Sequence, residues 1–180
     1  MWDKLGHEKV TVISDYYTVD DYIRIGQELL VRHWDRYQPF NQGTLLGAEM
    51  HIAFQLVGTP FKFKSYIDRL WRREDGTVEI CDYKTGQNLI HPGEPRFFYQ
   101  MGLYQLAVQA YFPDVGDIEL AQYFLRKDEV IRRKLTRDEL DQLVEELRLA
   151  IVDTLNAERT DDFPARESNL CVYCNFQEIC

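Results

Sequence analysis

No run of about 18 apolar residues occurs anywhere in the 180-residue sequence, so nothing in it reads as a membrane-spanning helix. The first residues, MWDKLGHEKV, lack the apolar segment of a signal peptide. From both absences we expect a cytoplasmic protein. Cysteine is scarce: Cys81 stands alone, and Cys171, Cys174 and Cys180 fall within the last ten residues. Thiols clustered in this way in a cytosolic chain are more often metal ligands than disulfides. An excess of basic residues is also missing. Lys and Arg number 21 against 30 Asp and Glu, a formal net charge of −9, which argues against a surface that grips nucleic acid throughout. Local basic strips remain, one of Lys62, Lys64, Arg69, Arg72 and Arg73, the other of Arg126, Lys127, Arg132, Arg133, Lys134 and Arg137. Each serves equally well as a solvated face. Internal repeats and low-complexity segments are absent, while 45% hydrophobic residues suffice for a core.

Periodicity then divides the chain. Val10, Val12 and Tyr16 suggest a short strand or an extended lead-in. Thr18, followed by Asp20 and Asp21, reads as the start of a helix over 19–37, with Tyr22, Ile25, Leu29, Leu30 and Trp34 at helical spacing and Pro39 as its stop. Alternation predicts strands over 45–56, 61–72 and 77–83, and the Glu74-Asp75-Gly76 turn joins the last two. A helix over 96–111 follows a Gly- and Pro-containing loop, then strands over 118–126 and 130–134. The capping box Thr136-Arg137-Asp138-Glu139 opens a helix to about residue 157, whose Leu140, Leu143, Val144, Leu147, Ile151 and Leu155 form a packing stripe. This order predicts an α/β (α+β) fold, a central mixed sheet with an antiparallel meander flanked by helices. We expect a core over 1–160 and a cysteine-bearing tail over 161–180 packed on it.

The stretch YIDRLWRREDGTVEICDYKTG concentrates the chemistry. Residues two apart on a strand share a face, so Asp82 and Lys84 project together, and the hairpin folds Asp68 towards them. Two carboxylates and an ammonium outline a metal-and-phosphate site. Asp68, Asp82 and the Tyr83 backbone carbonyl are oxygen donors of the kind Mg2+ takes, and Lys84 is placed to orient water or offset charge on a phosphoryl group.

Asp68, then Asp82-Tyr83-Lys84, then Gln100 and Tyr104 four apart on a helix, resembles the PD-(D/E)XK nuclease superfamily. Within it, the set is similar to the branch of RecB and AddB nuclease domains and CRISPR-associated exonucleases. The resemblance implies a restriction-endonuclease-like core, with Asp68, Asp82 and Lys84 catalytic and Mg2+ or Mn2+ as cofactor. It implies Gln100 and Tyr104 along the DNA, to which we add Arg69. It further implies that Cys171, Cys174 and Cys180 bind a [4Fe–4S] cluster. The fourth cysteine is missing from this chain, since Cys81 neighbours Asp82 and is expected in the core. The branch also carries a histidine on an early helix, for which His33 is the candidate, ahead of His51. Glu49, on the adjacent strand, is expected to face the same site as a supplementary acid or as a charge partner of Lys84 or Arg69. An N-terminally truncated domain, or a compact phage or mobile-element variant, accounts for both gaps.

The leading expectation is a nuclease cutting single-stranded DNA or DNA ends in repair, recombination or CRISPR adaptation, with a helicase or nuclease partner. The alternative is a catalytically weak or inactive DNA-end-binding module, and the third reading a small redox or zinc module built on the cysteines.

Overall fold

Thr18 begins the first helix because its side chain and that of Asp21 satisfy each other's backbone amides: Asp21 N–H donates to Thr18 Oγ1 (3.2 Å) and Thr18 N–H to Asp21 Oδ2 (2.9 Å). The structure, a computed structural model, describes residues 16–56 and 58–177, so Val10 and Val12 of the expected lead-in and Cys180 lie outside the described residues. The elements are α1 (Val19–Tyr37), β1 (Gly43–Gln55), β2 (Lys62–Arg73), β3 (Val78–Lys84), α2 (Pro95–Tyr111), β4 (Ile118–Phe124), β5 (Glu129–Arg133) and α3 (Arg137–Thr160). A 3-10 turn follows at Cys171–Tyr173. The chain is therefore an α/β fold with a mixed sheet, as expected. Where strand bounds shift from the expected ones they do so by one or two residues, because ladder pairing and not side-chain alternation ends a strand.

The five strands run in sheet order β1-β2-β3-β4-β5. All neighbours are antiparallel except β3 and β4. A parallel pair needs a long crossover, and α2 supplies it. Between β2 and β3, Gly76 adopts φ of +86°, a left-handed conformation open to glycine, and its N–H donates to the Arg73 carbonyl (3.0 Å). Asp75 Oδ1 accepts the Thr77 N–H (2.9 Å), closing the turn that Asp-Gly signalled.

Alternation along β3 divides the sheet into two environments. Ile80 and Asp82 face α2, where Leu70, Ile80, Leu120, Phe97, Met101 and Val108 are fully buried. Glu79, Cys81 and Tyr83 take the other face, which α1 covers through His33 and Tyr37: the His33 ring lies 5.3 Å from Tyr83 and the Tyr37 ring 5.8 Å from Tyr123.

Compact units divide after Thr136, ahead of the 160/161 boundary expected from sequence. The second unit holds α3 and the cysteine turn. Within α3 only Leu140 and Leu143 are buried, and Leu155 is 42% exposed, so burial is confined to the start of the apolar stripe.

The face under α1 carries a charge cluster that sequence reasoning passed over. Glu79 is 1% exposed. It accepts from Tyr123 Oη (2.6 Å), Arg73 Nη2 (2.8 Å) and Arg132 Nε (3.3 Å). Burial pushes its carboxyl up, but hydrogen bonds from Tyr123 and Cys81 and the charges of Arg132 and Arg73 outweigh burial and leave it below its ordinary value of 4.5. A folded-state value below the unfolded one makes Glu79 stabilising above about pH 5, and that contribution is lost as pH falls through both values. Urea unfolding is expected to show stability declining in this acid window. Glu79→Gln is expected to flatten the decline and cost about 3 kcal/mol at pH 7, since the arginines lose their counter-charge.

Candidate active site

A backbone amide at the end of a ladder needs a new partner, and here a carboxylate takes that role. Pairing of β2 with β3 runs from Arg72↔Val78 to Arg69↔Cys81. One step further, where Asp68 and Asp82 are adjacent in register, Tyr83 N–H donates to Asp68 Oδ2 (2.6 Å). Asp82 and Lys84 share the α2 face, and Lys84 Nζ lies 2.7 Å from Asp82 Oδ2. From α2, Gln100 spans both: its Nε2 donates to Asp82 Oδ1 (3.0 Å) and its Oε1 accepts from Lys84 Nζ (2.9 Å). Tyr104, one helical turn on, accepts from Gln100 Nε2 through its hydroxyl (3.2 Å).

Asp82 is 4% exposed. Burial raises its pKa, and the Asp68 charge adds to this, while the Lys84 ammonium and the Gln122 amide work in the opposite direction. Burial also raises the pKa of Tyr104, and the charges of Asp82 and Asp68 reinforce it against the Gln100 hydrogen bond. The site thus concentrates negative charge at low solvation and offsets it with one ammonium.

Gln122 completes the cluster and was not anticipated. It is fully buried on β4, paired in register with Asp82, and its Nε2 donates to Asp82 Oδ2 (3.4 Å) and Gln100 Oε1 (3.5 Å). The available signal was an amide inside the apolar strand IELAQYF.

Other expected residues lie elsewhere. Arg69, expected along the DNA, occupies the opposite face because it is one residue from Asp68 on the strand. Its side chain is 11% exposed and 3.6 Å from Glu79, and its guanidinium lies 4.5 Å from the Trp71 ring and 5.2 Å from that of Tyr123. His33 is on that same face, beside Tyr37 and Tyr83, and burial together with the Arg69 charge lowers its pKa. Glu49 lies on β1 between residues whose partners flank Asp68, yet it is exposed and left-handed at φ +49°. His51 is exposed on the same strand, against Tyr66. Cys81 is buried as expected, and burial and the Glu79 charge push its thiol up to about 12. In the second basic strip, Arg132 pairs with Glu79 and Glu119, Lys134 with Asp117 and Arg137 with Asp141.

Over residues 1–180 the chain matches the family model of the PD-(D/E)XK nuclease superfamily. The chain belongs to that superfamily. Similar solved structures include a protein from Eubacterium rectale named "Putative exonuclease", with 12% identity and a TM-score of 0.55 over 91% of this chain and 64% of that one. This chain therefore spans less than two thirds of that protein's length. A second, named SSO0001, has 19% identity and a TM-score of 0.51 over 90% of this chain and 71% of that one. At these identities the likeness is one of fold. No curated protein matches.

PD-(D/E)XK nucleases generally use divalent metals such as Mg2+ or Mn2+, and the donors present suit such an ion. Among the described residues no three metal-ligating side chains cluster, which leaves the two carboxylates, the number Mg2+ commonly takes alongside water. A strand residue turns N–H and C=O to the same edge, so the Tyr83 carbonyl lies on the Asp68 side. Gln122 Oε1 is buried without a protein partner, an acceptor suited to a metal-bound water. Gln122→Leu is expected to change thermal stability by less than about 1 kcal/mol, since an orphaned acceptor leaves with the weak donor. Calorimetric titration with Mn2+ is expected to show weaker binding, because a group that orients Asp82 is gone.

Proposed function

We propose that the chain is a divalent-metal-dependent DNA nuclease of the RecB-like type. It hydrolyses phosphodiester bonds of single-stranded DNA or DNA ends. The observation that carries this reading is the single hydrogen-bonded cluster of Asp82, Lys84, Gln100 and Tyr104, with Asp68 at its edge. Asp68, Asp82 and the Tyr83 carbonyl would hold the ion. When bound, it supplies Lewis-acid polarisation of the phosphoryl oxygen and a water acidic enough to attack near neutral pH. Lys84 brings the one ammonium of the cluster, which offsets charge developing on the phosphoryl group. Gln100 fixes Lys84 and Asp82 relative to each other, and with Tyr104 it lines the approach of the DNA.

The proposed setting is the cytoplasm, in repair, recombination or CRISPR adaptation with a helicase or nuclease partner. Cleavage of labelled single-stranded DNA with Mn2+ tests the activity. Asp82→Ala and Lys84→Ala together are expected to lower it at least about a hundredfold. Cleavage that survives the pair would remove the assignment. A second reading, a DNA-end-binding module with little turnover, is favoured by His33 lying on the face opposite Asp82. It predicts binding without cleavage under any divalent metal.

In the second unit, Cys171, Cys174 and Cys180 are proposed to hold an iron–sulfur cluster, with zinc as the competing metal. Cys171 Sγ accepts the Ser168 N–H (3.2 Å) and Cys174 Sγ the Phe176 N–H (3.4 Å), the amide-to-sulfur bonds that tune metal-bound thiolates. Metal analysis of anaerobically purified protein is expected to find iron with visible absorbance, lost in Cys171→Ala/Cys174→Ala. Zinc without absorbance would assign the other metal, and neither metal would end the proposal.

A further inference from the structure

Strand alternation gives the β1–β2 hairpin two unlike faces. Ile52 and Phe54 of β1 and Ser65 and Ile67 of β2 are buried. On the other face of β2, Lys62, Lys64 and Tyr66 follow one another at alternate positions and lead to Asp68. Their cross-strand partners are Gln55, Ala53 and His51, and all six side chains before Asp68 are exposed. At a rise of about 3.3 Å per residue the row extends about 20 Å from Asp68 to Lys62.

Two features of this row point to a ligand. Lys62 and Lys64 form no ion pair among the described residues, in a chain whose net charge is −9. Tyr66 is 56% exposed, and its ring packs against that of His51 in a T-shaped contact with centroids 4.4 Å apart, so an exposed aromatic ring is braced beside the lysines. Spaced cations beside an exposed aromatic ring match a phosphate backbone with unpaired bases, since bases inside a duplex are already stacked on both sides and offer the ring no free face. The side of a duplex would meet the lysines but leave the ring unused. The row also ends at the carboxylate proposed to hold the metal, so a strand lying along it would bring a phosphodiester to that carboxylate.

We propose that the exposed face of the β1–β2 hairpin, through Lys62, Lys64 and the Tyr66–His51 pair, is a track for single-stranded nucleic acid leading into the active site. This rests on the nuclease reading above and adds a binding surface that the cluster around Asp82 does not contain.

The test uses the full chain. Binding of labelled oligo-dT is followed by fluorescence anisotropy in Asp82→Ala protein, so that no cleavage intervenes. Added Lys62→Glu/Lys64→Glu is expected to weaken binding about tenfold or more and to reduce the slope of log affinity against log salt by about 1.4, two phosphates at about 0.7 each. Tyr66→Ala is expected to weaken it about tenfold with the salt slope unchanged, while Tyr66→Phe, which keeps the ring, binds as the parent. Arg159→Glu, in the last turn of α3, is the neutral control. Unchanged binding in both the lysine and the Tyr66→Ala variants overturns the track. A loss in Tyr66→Ala that is equal for oligo-dT and a blunt duplex overturns its single-strand character. With Asp82 intact, hydrolysis of bis(p-nitrophenyl) phosphate under Mn2+ separates this from the nuclease reading. Hydrolysis retained in the track variants with oligo-dT binding lost supports both. No hydrolysis by the parent, with binding still lost in the variants, sinks the nuclease reading and leaves the track.

Discussion

The hydrogen bond from the Tyr83 amide to Asp68 Oδ2 is the constraint on which the site depends. It forms where the β2–β3 ladder stops, at a backbone group that burial would otherwise leave unpaired. One carboxylate thereby finishes a strand and stays at the edge of the cluster around Asp82. The tight turn at Gly76 sets the register that makes this meeting possible. The same strand end turns the Tyr83 carbonyl to the Asp68 edge, so this carbonyl and the Asp68 carboxylate share one side of β3 without any long-range loop.

β3 then serves two chemistries at once. Asp82 and Glu79 are both buried carboxylates, yet their protonation is biased in opposite directions. Asp82 has a nearby like charge in Asp68, and one ammonium does not overcome burial. Glu79 has arginines and the Tyr123 hydroxyl, and burial is outweighed. The first arrangement leaves a carboxylate suited to the divalent cation proposed for this site. The second is complete within the protein and holds the strand from behind.

Much of this was legible in the residues. Period-two patterning and the Asp-Gly turn were enough to bring Asp68, Asp82 and Lys84 together, because these depend on local geometry within one hairpin, whereas Gln100 and Tyr104 were marked by the family resemblance. What was illegible involved partners distant in sequence. Gln122 reaches Asp82 only through the parallel pairing of β4 with β3. Glu79 carries no signal in the sequence, since its arginines come from β2 and β5. Arg69 follows Asp68 in sequence but lies on the opposite face beside Glu79, because adjacent strand residues point apart.

By itself, the sequence determined the order of helices and strands, the hairpin and the carboxylate–lysine pair on one face, since hydrophobic period and turn chemistry act over a few residues. Tertiary structure alone decided which charges are neutralised inside the fold and which are left for a ligand. Arg69, Arg73 and Arg132 are consumed by Glu79 and its neighbours, whereas Lys62 and Lys64 remain outside such pairs among the described residues. The reason is physical: a charge is identified by its residue, but its desolvation and its partner depend on which strands the sheet brings side by side.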